Sequence, residues 1–175
     1  MDKDPTLEKM EEQCLWAETI DYLNIRWKND PCLDSLLRVF SQAWFLMSYI
    51  EQLSPYRKNR GSIELPAQWP DVWLRLLKEA NTAGKKEYGK DPVFLAVSGH
   101  MMVVHPEWFV NKYCSYKEAF QEGSNRLIAA QNEMPELRIF SADEKRKPVD
   151  GVLKEQLFPG NSEVDTYFKS LVMGW

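Results

Sequence analysis

The stretch DPCLDSLLRVFSQAWFLMSYIEQL, residues 30–53, decides the fold. Its apolar side chains cover most of the circumference of a helical wheel, which is typical of a helix enclosed by other helices. Asp30 and Pro31 look like a helix start, because Asp caps the free N–H groups of a first turn and Pro suits the first helical position. The pattern predicts a central helix from Pro31 to about Leu53.

The same two-residue start recurs on both sides of this stretch. Asp4-Pro5 precedes a patterned segment that predicts one helix from Pro5 to about Trp27, and Asp91-Pro92 precedes another that ends near Val104. Pro70 and Pro106 indicate two further starts. Serine followed three residues later by glutamate forms a capping-box pattern, and SYKE therefore predicts a helix over 115–133. Ser162 to Asp165, in the segment SEVD, indicates a further cap that opens the last helix, through Met173.

The helical pattern is interrupted or weakened at four places. Residues 54–69 carry two Pro, a Gly and a basic cluster, which predicts a long loop. The helix from Pro70 is expected to fray at 81–84, and Gly123 is expected to weaken the helix over 115–133. Residues 137–140 fit either a short strand or a helical turn. The chain is therefore predicted to be all-α, an irregular bundle of about six or seven helices in one domain over 1–175, with at most one short strand pair.

Composition limits the functional classes. The 175 residues are 44% hydrophobic and 13% aromatic, enough for a sizeable core, and the formal charge of −4 argues against a general nucleic-acid binder. Three Cys without metal-type spacing indicate reduced thiols, and the polar, acidic N-terminal sequence lacks the pattern of a secretory signal. No apolar run reaches the ~20 residues that span a bilayer. These features predict a soluble cytoplasmic protein with no membrane contact.

The residues that commonly carry chemistry do not form a catalytic pattern. The two histidines, His100 and His105, are five residues apart, whereas zinc-binding helices place them four apart. Nucleophile elbows, phosphate-binding Gly-rich loops and dinucleotide fingerprints are all missing from the sequence. We therefore expect structural histidines, no metal, no cofactor and no enzymatic activity.

Acidic side chains give the best candidate for a binding surface. Residues 1–30 contain eight Asp or Glu against four Lys or Arg. On the wheel of the first predicted helix, one arc opposite the apolar side collects Glu8, Glu11, Glu12 and Glu18. A plain solvated face remains the alternative, but such an arc could also meet a basic protein surface. If this arc were not the contact, the 54–69 loop and Trp69 would be the next candidates.

The favoured function is a small protein-binding module, most concretely an immunity protein or antitoxin that neutralises a basic, for instance nuclease, toxin domain. In general character the chain is similar to immunity proteins of contact-dependent bacterial growth inhibition systems, although no motif carries the similarity. Two alternatives remain. One is an enzyme or small-ligand binder with a helical pocket formed by Trp69, Trp73, His100 and Met101. The other is a helical adaptor or scaffold.

Overall fold

The computed structural model describes residues 3–13, 15–59, 69–140, 156 and 158–173 of the chain. Two 3-10 helices, Pro106–Phe109 and Pro135–Phe140, accompany the α-helices, and the described residues form no sheet. The all-α prediction is confirmed. The α-helices of these residues are α1 (Pro5–Glu12), α2 (Trp16–Asn29), α3 (Leu33–Asn59), α4 (Trp69–Tyr88), α5 (Pro92–Val104), α6 (Tyr116–Glu133) and α7 (Glu163–Met173).

Helix α3 lies at the centre of the bundle. It packs against α2, α4, α5 and α7, and every residue from Ser35 to Leu46 is buried. The ring of Phe40 lies 6.3 Å from that of Phe94 and 6.4 Å from that of Phe109, so two segments of the chain pack on one α3 residue. The central position of α3, which was predicted from the apolar residues around most of its circumference, is therefore confirmed.

Local capping signals placed most helix starts correctly. The carboxylate of Asp4 accepts a hydrogen bond from Leu7 N at 3.0 Å, and that of Asp91 accepts from the backbone of α5. Ser115 and Glu118 form the predicted capping box. Asp30-Pro31 is the exception, because α3 begins two residues later, at Leu33.

The prediction of one helix from Pro5 to Trp27 was wrong, because α1 ends at Glu12 and α2 folds back on it. Asp4 shows why the chain turns. Its carboxylate binds Arg26 Nη1 at 2.7 Å and accepts a hydrogen bond from the Tyr22 hydroxyl at 3.1 Å. These contacts join the start of α1 to the last turns of α2, which a single straight helix would hold far apart.

Glycines explain two further differences. Helix α4 does not fray near Gly84 but continues to Tyr88, and a side chain at Gly84 would overlap the Phe94 ring. Gly123, predicted to be a weak point, is where α6 crosses α5 closely. A Cβ on Gly123 would lie 2.9 Å from the carbonyl oxygen of Gly99. Both glycines therefore serve close packing between helices.

The predicted loop and strand also need correction. Residues 54–59 continue α3, while residues 60–68 lie outside the described part of the chain. Residues 137–140 belong to a 3-10 helix, so the helical turn was the correct alternative. The serine cap of the last helix is confirmed, since Ser162 Oγ accepts a hydrogen bond from Asp165 N at 3.1 Å.

Candidate partner-binding surface

The four glutamates predicted to share one acidic arc lie in different environments. Glu8, Glu11 and Glu12 are on α1, whereas Glu18 is on α2 beyond the turn. Glu12 and Glu18 are exposed and Glu8 is half-buried, but Glu11 is only 7% exposed. Trp69 is the first residue of α4, and its side chain lies outside the described part. The glutamates therefore do not form one continuous surface.

Glu11 joins three helices. Its Oε1 accepts a hydrogen bond from Gln42 Nε2 on α3 at 2.9 Å, and its Oε2 accepts from Glu163 N on α7 at 2.8 Å. Burial raises the pKa of the Glu11 carboxyl from 4.5 to about 7, because desolvation outweighs the two hydrogen bonds. The nearby carboxylates of Glu163 and Asp165 raise this pKa further. Glu11 is thus placed to hold the helices together, not to meet a partner.

A buried ion pair completes this junction. Arg38 Nη1 lies 2.7 Å from Asp165 Oδ2, and both side chains are 1% exposed. Ser162 Oγ donates to the same carboxylate oxygen at 2.7 Å, and Glu8 Oε1 accepts from Asn161 N at 2.7 Å. Together these contacts form one polar cluster, whose members are Glu8, Glu11, Arg38, Gln42, Ser162 and Asp165. It fixes α7 to α1 and α3 through charges that cannot be left unpaired in the interior.

The outer face of α2 is where exposed acidic side chains meet an apolar one. Glu18, Asp21 and Ile25 follow each other at intervals of three and four residues, so they lie on the same side of the helix. Both carboxylate residues are exposed, and Ile25 is 60% exposed. Ile20 and Leu23 point the other way, into the core. We call Glu18, Asp21 and Ile25 the α2 acidic face.

Sequence reasoning found Glu18 but missed Asp21 and Ile25. The signal was present in the sequence, since Ile25 falls opposite Ile20 and Leu23 on the helical wheel. The prediction of one helix over 5–27 hid this signal, because on the wheel of such a helix Ile25 falls on the apolar side, near Met10 and Cys14. With α2 starting at Trp16, the wheel leaves Ile25 as the one isoleucine on the solvent side.

The histidines lie in an aromatic cluster around Trp44. His100 Nε2 lies 3.0 Å from the Tyr167 hydroxyl, and His105 Nδ1 lies 2.9 Å from Glu107 Oε1. The Trp44 ring packs near both imidazoles, with centroids 6.0 and 5.7 Å away. The two imidazoles thus contact different polar partners, Tyr167 and Glu107. The part of the chain that the structure describes holds no group of three His, Cys, Asp or Glu side chains that could bind a metal ion.

Two of the residues predicted to form a ligand-binding pocket lie in the core instead. Trp73 and Met101 are buried in the core at 1% and 0% exposure, so they do not line an open pocket with His100. An open groove of about 650 Å³ instead runs along the outer side of α4. Its lining residues include Asp71, Leu74, Arg75, Lys78, Glu79, Thr82, Ala83 and Lys86.

Comparison with models of protein families, with curated proteins and with solved structures gave no significant match. Among the described helices, none is both long enough and apolar enough to cross a membrane. The surfaces of the chain itself therefore guide the functional interpretation.

Proposed function

We propose that the protein is a small protein-binding module, an immunity protein or antitoxin that binds and neutralises a basic toxin domain. The observation that supports this most directly is the α2 acidic face, where two exposed carboxylates and an isoleucine that is 60% exposed lie on the same side of the helix. Protein interfaces usually combine apolar contact area with polar groups around it.

Each part of this face has a separate role in the proposed complex. Ile25 supplies apolar area, and burying such a side chain fully contributes about 1.5–3 kcal/mol. Glu18 and Asp21 attract a basic surface from a distance and accelerate the encounter. Nuclease domains carry basic clefts because their substrate is polyanionic, so an acidic partner can cover the cleft and block it. The chain's net charge of −4 favours the same encounter.

Ligand binding is the second candidate, and the groove along α4 is the observation that favours it. This groove is open to solvent and its side chains come from one helix, including acidic Asp71 and Glu79 and basic Arg75 and Lys78. Small-molecule sites more often enclose the ligand with a few convergent polar groups. The scaffold alternative needs helix pairs stacked in series, whereas four of the described α-helices, α2, α4, α5 and α7, pack against α3.

Co-expression tests the proposed function. The chain is expressed together with each product of the genes next to its own, and growth of the host is recorded. We expect one product to arrest growth alone and to be harmless when the chain is present. Protection should be lost in the Glu18→Lys/Asp21→Lys variant. The matched control is Glu79→Lys/Glu87→Lys, which makes the same charge change at exposed positions of α4.

Two results would count against the proposal. If none of the neighbouring products is toxic, the antitoxin function loses its support and the groove on α4 becomes the leading site. If the α2 variant protects as well as the control does, the contact lies on another surface of the chain.

A further inference from the structure

Helix α6 exposes a ridge of apolar side chains. Tyr116, Phe120 and Ile128 are 57%, 44% and 56% exposed, and with half-buried Ser124 they form a row at four-residue intervals. Rows of this spacing are the ridges that pack into the grooves of neighbouring helices. Tyr113, 81% exposed, stands just before the start of α6. Single exposed apolar residues are ordinary, but a row along more than three turns indicates a contact surface.

The outward side of α6 also lacks charge. Between Ala119 and Asn132 the only charged residues are Glu122 and Arg126. Glu122 Oε1 binds Arg126 Nη2 at 2.7 Å and Lys85 Nζ at 2.9 Å, so both are engaged along the side of α6 next to α4. The remaining polar positions beside the ridge are amides, and Gln121 Nε2 donates to Asn125 Oδ1 at 3.1 Å. Depletion of charge is a mark of the centre of an interface.

The outward face of α6 is chemically complementary to a second copy of the same face. Amide side chains both donate and accept hydrogen bonds, so a face of amides and apolar groups can pair with an identical face without any opposite charge. A partner selected by charge would instead find nothing to pair with at the centre of α6. The outward face of this helix is thus different in kind from the α2 acidic face.

The two ends of α6 carry opposite charges. Lys112 and Lys117 are exposed at the start of the helix, and Glu136 is exposed just beyond its end, whereas Glu133 is turned about 140° from Ile128 and faces away from the ridge. The carboxylate at the start, Glu118, is held within the capping box. A lysine near the N-terminus and a glutamate near the C-terminus both oppose the helix dipole, so this arrangement does not stabilise α6 itself. It suits an antiparallel neighbour, whose acidic end would lie over the basic end of the first helix.

We infer that α6 is the contact helix of a symmetric homodimer, in which two copies of this chain pack their α6 ridges antiparallel about a two-fold axis. In such an interface each surface faces its own copy, so Phe120 of one copy faces the Ile128 end of the other. The 18 residues of α6 extend over about 27 Å. One helix face of this length is smaller than the ~800 Å² per partner of stable complexes, so we expect a dimer that dissociates on dilution.

Sedimentation velocity of the full chain, from low micromolar to several hundred micromolar concentration, tests the dimer. The mass should rise with concentration toward twice the 20.5 kDa of one chain. Ile128→Glu should raise the dissociation constant at least ~10-fold, because a charge would be buried at the centre of the interface. Ile25→Glu is the matched control: Ile25 is equally exposed but lies on α2, and its replacement should leave the dimer unchanged.

A charge exchange tests the antiparallel arrangement. Lys117→Glu makes the charged side chains at both ends of the ridge acidic, and Glu136→Lys makes both basic, so each variant alone should be monomeric. An equimolar mixture should dimerise again, because each acidic end then meets a basic end. Any one of three results would overturn the inference. The wild-type chain could stay monomeric at the highest concentration, the Ile128→Glu variant could still dimerise, or the equimolar mixture could stay monomeric.

Discussion

Replacing Glu11 by glutamine should stabilise the protein at neutral and alkaline pH. Glu11 is 7% exposed, and its pKa is raised from 4.5 to about 7 mainly by desolvation. Glutamine has nearly the same shape, and its oxygen can accept the hydrogen bond from Glu163 N. If the Gln42 amide turns over, so that its oxygen replaces the Nε2 that now donates to Glu11, the new amide can donate to Gln42 Oε1, a buried atom that has no hydrogen-bond partner among the described residues. The variant removes a buried charge and retains the contacts between α1, α3 and α7.

The pKa values of the two states fix the size and the sign of the effect. The folded protein keeps the Glu11 proton up to about pH 7, whereas the unfolded chain releases it near the ordinary value of 4.5. Between these values the folded state binds more protons, so this group lowers the free energy of unfolding as the pH rises. At about 1.4 kcal/mol for each pKa unit, ionised Glu11 costs the folded state roughly 3 kcal/mol.

Urea unfolding followed by circular dichroism measures this effect. We expect Glu11→Gln to exceed the wild type by roughly 3 kcal/mol near pH 8 and by less than about 1 kcal/mol near pH 5. Glu12→Gln, the exposed neighbour on the same helix, is the control and should change little at either pH. A difference for Glu11→Gln that is the same at both pH values would refute the reasoning, because ionisation of Glu11 would then have no part in stability.

Two stability predictions concern packing away from the proposed contact surfaces. Asp165→Ala should lower the free energy of unfolding by roughly 3–5 kcal/mol, measured in urea, because Arg38 is then left charged in the interior without this carboxylate. An unchanged midpoint would show that the ion pair does not hold α7. Gly123→Ala should cost about 1–3 kcal/mol, because its Cβ would lie 2.7 Å from that of Met102. Ser124→Ala, the next residue on the outer side of α6, is its control, and equal losses in both variants would argue against close packing at Gly123.

The parts of the fold that depend on neighbouring residues could be predicted from the sequence. Asp4, Asp91 and Ser115 cap helices through contacts within three residues, so their pattern is visible in the chain itself. The burial of α3 also follows from its composition, since no side of the helix is polar enough to face water over its central turns.

Long-range contacts account for what the sequence did not reveal. The turn between α1 and α2 is held by Asp4 and Arg26, which are 22 residues apart. Glu11 looks like a surface residue by type, but α3 and α7, about 30 and 150 residues later, supply its hydrogen-bond partners. Gly123 looks like a helix breaker until the neighbouring helix is placed across it. In each case a distant segment supplies the partner, which a helical wheel cannot show.

The association rate of the chain with the proposed toxin domain, measured by stopped-flow fluorescence at several salt concentrations, tests the central claim most directly. The account predicts that Glu18→Lys/Asp21→Lys slows association at least ~10-fold at low salt and weakens the salt dependence, because these charges steer the encounter. Glu79→Lys/Glu87→Lys should have a much smaller effect. If both double variants slow association equally, the encounter depends on net charge alone, and the α2 acidic face is not the binding site.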